Sequence, residues 1–268
     1  MEELVFLKLG GSLITDKRRY ETPRPAVIER LANEIHAALE ARPDLRLVLG
    51  HGSGSFGHFV ADRYKVHEGN LEDWRGYAET SAAAQRLNRL VTDALLAAGV
   101  RVVSLQPSAS ARCHDGELVE MAIDPIVELL KHQVVPMVYG DVALDNARGC
   151  TIISTEQIFV YLAQFLRPQR IILAGEVAGV YSGDPQRDTV VRLIPEINSR
   201  NYQEIESSLS ASFGVDVTGG MLSKVRLLFG LVTKQPNLHV HIITGRRNRL
   251  VERMLVDPTL REGTLLCY

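Results

Sequence analysis

A chain of 268 residues with 46% hydrophobic and 23% charged residues has the balance of a globular protein and the length for a large core, which argues against a disordered or fibrous chain. Its 30 basic and 32 acidic residues leave a formal net charge of −2, so the overall balance points to no nucleic-acid partner and no charge-held membrane surface. Cys113, Cys150 and Cys267 are far apart and in no metal-ligand spacing, which predicts unpaired thiols in a reducing compartment and no metal site.

The acidic start Met1-Glu2-Glu3 runs into the apolar stretch Leu4–Leu9, which lacks the length and basic flank of a signal segment, and no apolar run reaches the roughly 18 residues of a membrane span. A cytoplasmic protein with no membrane partner is expected, and Leu4–Leu9 reads as a first strand. Further short runs rich in Val, Ile and Leu follow at Leu45–Leu49, Val100–Leu105, Val134–Tyr139, Ile171–Ala174 and His239–Ile243. Between them, Ala26–Ala41, Ala78–Ala98, Glu156–Leu166 and Met221–Lys234 have helical spacing. Pro25 stands where a first-turn proline belongs, and Gly99 where a C-terminal cap belongs. Ala111–Leu118 predicts a hairpin, because Asp115-Gly116 at its middle suits a tight turn. Strands alternating with helices give an α/β fold with a mostly parallel sheet covered on both faces. No repeat or linker divides the chain, so one continuous domain is expected, with two lobes meeting near Phe165–Arg170.

Parallel sheets bind ligands beyond the carboxyl ends of their strands, which directs attention to the loops there. Lys8-Leu9-Gly10-Gly11-Ser12 combines two glycines, which let backbone N–H groups approach an anion, with a lysine charge. Thr15-Asp16-Lys17-Arg18-Arg19 adds a second basic group, which alone reads as a solvated loop. Gly50-His51-Gly52-Ser53-Gly54-Ser55-Phe56-Gly57-His58 reads as a glycine loop wrapping a ligand, with His58 at its far end placed to donate to a phosphate. Asp216-Val217-Thr218-Gly219-Gly220-Met221-Leu222-Ser223-Lys224 puts glycines at a helix start and a lysine one turn in, a constellation for one anion. Lysines beside glycine loops at both ends of a chain suit phosphoryl transfer, which needs charge on the moving group and little covalent chemistry. No Ser-His-Asp or zinc spacing competes. His239 and His241 share a strand face without further ligands, and Arg246–Arg249 reads as a solvated helix start.

At these segments, and at Gly76–Asn88, Gln106-Pro107-Ser108, Tyr139-Gly140-Asp141 and Gly179–Pro185, the sequence resembles the amino acid kinase superfamily and, within it, the isopentenyl phosphate kinases. Lys17 together with the Gly-Ser-Phe-Gly-His ending carries the narrower resemblance. It implies an open αβα sandwich, an acceptor-binding lobe over about residues 1–165, an ATP-binding lobe over 166–268, Mg-ATP as donor and a homodimer. It further implies that Lys8, Lys17 and Lys224 stabilise the transferring phosphoryl group and that His58 holds the acceptor phosphate. Gly10, Gly11, Ser12, Gly54, Gly219 and Gly220 would bring backbone to the nucleotide phosphates, and Tyr181, Asp184 and Pro185 would line the nucleotide site. Ser53, Gly54, Gly57, Ser154, Thr155 and Glu156 would contact the acceptor, whose hydrocarbon end would lie along Gly76–Asn88 and near Ile152 and Ile158. Relatives usually carry a glycine and an aspartate where Ser154-Thr155-Glu156-Gln157 stands, so Glu156 supplies that charge on a longer side chain. Ala174-Gly175-Glu176-Val177 likewise replaces a common threonine-aspartate pair.

The chemistry agrees with the residues, because a phosphate monoester has a second pKa of about 6 and needs no general base to attack at neutral pH. Fosfomycin, UMP, glutamate or carbamate as acceptor, or a non-catalytic nucleotide-binding module, are the competing readings. His58 and Lys17 favour a phosphate or phosphonate over a carboxylate.

Overall fold

The computed structural model describes residues 2–183, 191–213 and 220–268. In chain order the strands are β1 (Glu3–Leu9), β2 (Leu45–His51), β3 (Val102–Ser104), β4 (Arg112–His114), β5 (Glu117–Glu120), β6 (Val135–Tyr139), β7 (Asp141–Asp145), β8 (Gly149–Ile153), β9 (Arg170–Gly175), β10 (Glu196–Ile197), β11 (His239–Thr244) and β12 (Thr264–Leu266). The helices are α1 (Gly11–Ile14), α2 (Pro25–Ala41), α3 (Gly54–Arg63), α4 (Arg75–Ala97), α5 (Asp124–Lys131), α6 (Thr155–Leu166), α7 (Tyr202–Phe213), α8 (Met221–Lys234) and α9 (Leu250–Val256). Each strand and helix expected from periodicity is present, within about three residues at each end. Pro25 occupies the first turn of α2, and Gly99 follows α4 with φ +93°. The hairpin forms between β4 and β5, with Asp115 and Gly116 both at positive φ.

An eight-stranded sheet has the order β10-β12-β11-β9-β1-β2-β6-β3, parallel except where β12 meets β11, and a four-stranded sheet has the order β5-β4-β7-β8. Alternation along β1 sorts its side chains between two cores. Val5, Leu7 and Leu9 join Leu31 and Ile35 of α2, Leu87 of α4 and Met254 of α9. Phe6 points to the opposite face, into Ile158 and Phe159 of α6 and Val225 and Leu228 of α8. Lys8 has the parity of Phe6, so the strand's period delivers its ammonium to the face where α6 and α8 begin.

Candidate active site

The carboxyl ends of β1, β2, β6 and β9 lie level in the sheet: Leu9 pairs with His51 and Ala174, and His51 with Tyr139. Beyond them opens a cavity of about 640 Å³. Lys8, Gly10, Gly11, Ser12, Lys17, Ser53, Gly54, His58, Ser154, Thr155, Glu156 and Lys224 all line it, although the chain separates them by up to 216 positions. Ile152, Glu176 and Met221 complete parts of its wall. Three further expected contact residues are not among those lining residues: Gly57 packs inside α3 against Ser53, Tyr181 bridges to Leu193, and Gly220 is the N-cap of α8, next to the lining residue Met221. Ile158 is fully buried in the core, so its side chain is not a wall of an acceptor pocket. Asp184, Pro185 and Gly219 lie outside the described residues.

The run Gly50–His58 departs from the expected wrapping loop, since α3 starts at Gly54. Phe56 and Val60, four residues apart, are both buried in the core, and that apolar spacing outweighs the helix cost of Gly57. His58 is therefore set on a helix, one turn from its start, rather than at the end of a loop. The two glycine segments touch: a Cβ on Gly11 would come within 2.5 Å of the Gly54 nitrogen. The N–H groups of Gly11, Ser12 and Gly54 belong to first turns of helices and have no intrahelical partner. They form a donor cluster suited to phosphate oxygens.

The cations are arranged around one carboxylate. Lys8, 8% exposed, donates to Glu156 Oε2, and Lys224 Nζ lies 3.9 Å from Glu156 Oε1. Glu156 is 3% exposed and stands in the first turn of α6, whose start is fixed by a reciprocal cap between Ser154 and Gln157. Burial pushes its carboxyl up, but the charges of Lys8 and Lys224 and the Lys8 hydrogen bond overcome this and hold it down at about 2. Burial lowers the Lys8 ammonium from its ordinary value, with Glu156 opposing and the charges of Lys224 and Lys17 adding to the depression. His58 faces the cavity at the mouth, and the protein around it, then Lys17, Lys224 and Lys8, push its imidazole down to about 4. Glu176 is ion-paired at 2.5 Å to Arg24, which also donates to the Ser12 carbonyl.

Two polar elements of the scaffold have no local sequence signal. Buried His51 stacks on Tyr139, its Nδ1 is 3.1 Å from the Gly52 carbonyl, and Asn88 Nδ2 is 3.1 Å from its Nε2. Ser104 donates to the Asn88 side-chain oxygen at 2.6 Å, so a chain of hydrogen bonds from β3 and α4 orients the glycine turn after β2. The Thr155 hydroxyl is engaged with the His51 carbonyl at 2.6 Å, and Ser154 Oγ accepts from Gln157 N at 3.1 Å. These two residues thus line the cavity with polar atoms already committed to the scaffold, and Glu156 is committed to the lysines. Among the described residues no group of three or more His, Cys, Asp or Glu could hold a metal, and no helix is long and apolar enough to cross a membrane.

A family model described as the amino acid kinase family matches residues 3–244. The isopentenyl phosphate kinase of Methanothermobacter thermautotrophicus is 38% identical over 96% of this chain and 97% of its own length, and that of Haloferax volcanii 38% identical over 85% and 88%. A crystal structure of an isopentenyl phosphate kinase superposes with a TM-score of 0.83 at 34% identity, covering 98% of this chain and 100% of that one. A glutamate 5-kinase of Bradyrhizobium is more distant, at 25% identity over 90% of this chain and 61% of its own length. The chain belongs to the amino acid kinase family, in the branch of the isopentenyl phosphate kinases.

Proposed function

We propose that this chain transfers the γ-phosphoryl group of ATP directly to the phosphate of isopentenyl phosphate, giving isopentenyl diphosphate. The observation that carries the reading is the convergence of Lys8, Lys17, Lys224 and His58 on one cavity at the carboxyl ends of the strands. Donor and acceptor are both polyanions, so the task is to hold them in line and offset their repulsion. Lys8 and Lys224, fixed by Glu156, flank the phosphoryl in flight, Lys17 meets it from the acceptor side, and the N–H groups of Gly11, Ser12 and Gly54 take phosphate oxygens. His58 holds the acceptor phosphate, which attacks without a general base because it is already ionised near neutrality.

Magnesium bound with the nucleotide would neutralise phosphate charge during transfer. Among the described residues the two cavity carboxylates are both ion-paired, Glu156 to Lys8 and Lys224 and Glu176 to Arg24, so the phosphates themselves would supply the ion's main ligands, with Glu176, nearer the solvent, the side chain that would turn to it. Residues 1–165 would form the acceptor lobe and 166–268 the ATP lobe of a cytoplasmic homodimer.

An acceptor panel read by ADP release tests the reading. Turnover with isopentenyl phosphate is expected, and Lys17→Ala or His58→Ala should lower it by about 100-fold or more, the scale of losing a transition-state donor. Turnover of fosfomycin or UMP without isopentenyl phosphate would overturn the acceptor, and no ADP with any acceptor would favour a non-catalytic module.

A further inference from the structure

Lys17 is exposed and sits between α1 and α2, outside both helices. A cation contributes most to a charged transition state when it is held in place beforehand, so what fixes this loop matters as much as the lysine. Thr15, fully buried two residues before it, provides the fixation. Its hydroxyl donates to the Gly11 carbonyl at 2.7 Å and accepts from the Ser55 N–H at 2.9 Å. One side chain therefore joins the glycine turn after β1, the Lys17 loop and the first turn of α3, the helix that carries His58.

The junction is built on both sides. Gly54 has φ +52°, and a Cβ there would lie 2.4 Å from Thr15 Oγ1, so the hydroxyl fills the space the glycine leaves. The far side of the loop returns to the same turn of α3: Thr22 N donates to Ser55 Oγ at 3.1 Å, and the loop closes on itself through Asp16 N to the Thr22 carbonyl at 2.9 Å. At the rim, Tyr20 meets Phe59 edge to face with centroids 5.9 Å apart.

We propose that Thr15 is a positioning residue for phosphoryl transfer: its hydroxyl locks the Lys17 loop to the start of α3, so that Lys17 and His58 present one fixed site to the acceptor phosphate. This rests on the phosphate-acceptor reading above. Without the hydroxyl, the Gly11 carbonyl and the Ser55 N–H lose their common partner and the loop is no longer tied to the helix at that point. Lys17 then samples a wider range of positions, and the loss falls on the acceptor side of the reaction.

The test compares Thr15→Val, which keeps the shape, with Thr15→Ser, which keeps the hydroxyl, in steady-state assays with ATP and isopentenyl phosphate. Thr15→Val should lower kcat/KM for the acceptor by about 30-fold while the KM for ATP stays within about threefold, and Thr15→Ser should stay within about threefold of wild type. In a Lys17→Ala background Thr15→Val should cost nothing further, because the hydroxyl acts through the lysine. Additive losses, an equal defect in the serine variant, or a matching rise in the KM for ATP would each overturn the proposal. If Thr15→Val does not fold, Thr15→Ala, which also removes the hydroxyl that joins the Gly11 carbonyl and the Ser55 N–H, takes its place in the same cycle under the same criteria. The cycle is repeated on the binding of inorganic phosphate by calorimetry, which needs no turnover. A wild type inactive on isopentenyl phosphate whose phosphate affinity still depends on Thr15 through Lys17 would overturn the functional reading and leave this one standing; phosphate affinity unaffected by Thr15→Val would overturn this one.

Discussion

Replacing Glu156 by glutamine keeps the side chain's size and removes the charge between Lys8 and Lys224. The glutamate side chain is 4% exposed and its partner Lys8 10%, so solvent screens the pair little. Its carboxyl is brought from an ordinary 4.5 to about 2 against the opposing push of burial. At about 1.4 kcal/mol per tenfold change in proton affinity, that difference amounts to about 3 kcal/mol of stability. It falls at the lower edge of the about 3–5 kcal/mol lost when one partner of a buried ion pair is deleted. Because the folded carboxyl titrates below the unfolded one, this stability is present above pH 4.5 and is lost as pH falls from there toward 2.

In Glu156→Gln the buried Lys8 ammonium has no counter-charge, and its folded value drops further below the ordinary 10.5. The unfolded chain then binds more protons than the folded one between those two values, so the variant regains stability as pH rises toward 10.5. Chemical denaturation of the unliganded protein should therefore show a deficit of about 3 kcal/mol near pH 6 and a smaller one near pH 9. Turnover should fall as well, since Lys8 and Lys224 lose the group that fixes them. A variant as stable as wild type at both pH values, or a deficit that does not change with pH, would refute the view that Glu156 holds two ammonium groups together.

Gly54→Ala should be destabilised by about 1–3 kcal/mol and lose activity, because φ +52° is strained for alanine and its Cβ would meet Thr15; a thermal melt and an ADP assay check both. His241 is 1% exposed, and its two ring nitrogens have no partner among the described residues. His241→Leu should raise stability at pH 7 by about 1 kcal/mol. Burial, then Arg170 and Arg261, hold this imidazole down to about 3, so the wild type loses stability as pH falls from 6.5 toward 3, and the leucine variant should lose less. Burial, then the charges of Lys17, Lys224 and Lys8, hold the His58 imidazole down to about 4, and a phosphate bound among those lysines offsets their charge and raises it. Acceptor binding near pH 6 should take up a proton, seen as a binding enthalpy that changes with the ionisation heat of the buffer.

The elements that were legible in the sequence are those whose signal is local. β1, β2, β6 and β9 carry continuous apolar runs because both their faces are covered, and α4 and α8 repeat apolar residues at helical spacing over 23 and 14 residues. β10 has two residues and β12 three, too few for a period to show. α3 was hidden by its glycines, whose density reads as a loop although Phe56 and Val60 bind it to the core. For the site, lysines beside glycine turns gave the chemistry, whereas the hydroxyl of Thr15 and the ring of His51 act on partners 40 and 37 positions away, and no pattern in the chain joins them. Glu156 shows the other side of this limit: its longer side chain looked like a departure, and only the placement of α6 against β1 lets it reach both lysines.

That placement also explains why the cations differ in exposure. Lys8 is buried and has its counter-charge built in, whereas the side chain of Lys224 is 39% exposed and Lys17 lies open at the mouth. Glu156 already answers two ammonium groups, and a further buried acid beside them would compete with the substrates for the same charges. A site meant to gather two polyanions is better left with excess positive charge in its solvated part, where water screens the repulsion until ligands arrive. Bound phosphates bring negative charge to that part of the cavity, so the lysine charges that add to burial in depressing His58 become the attraction that draws the substrates together.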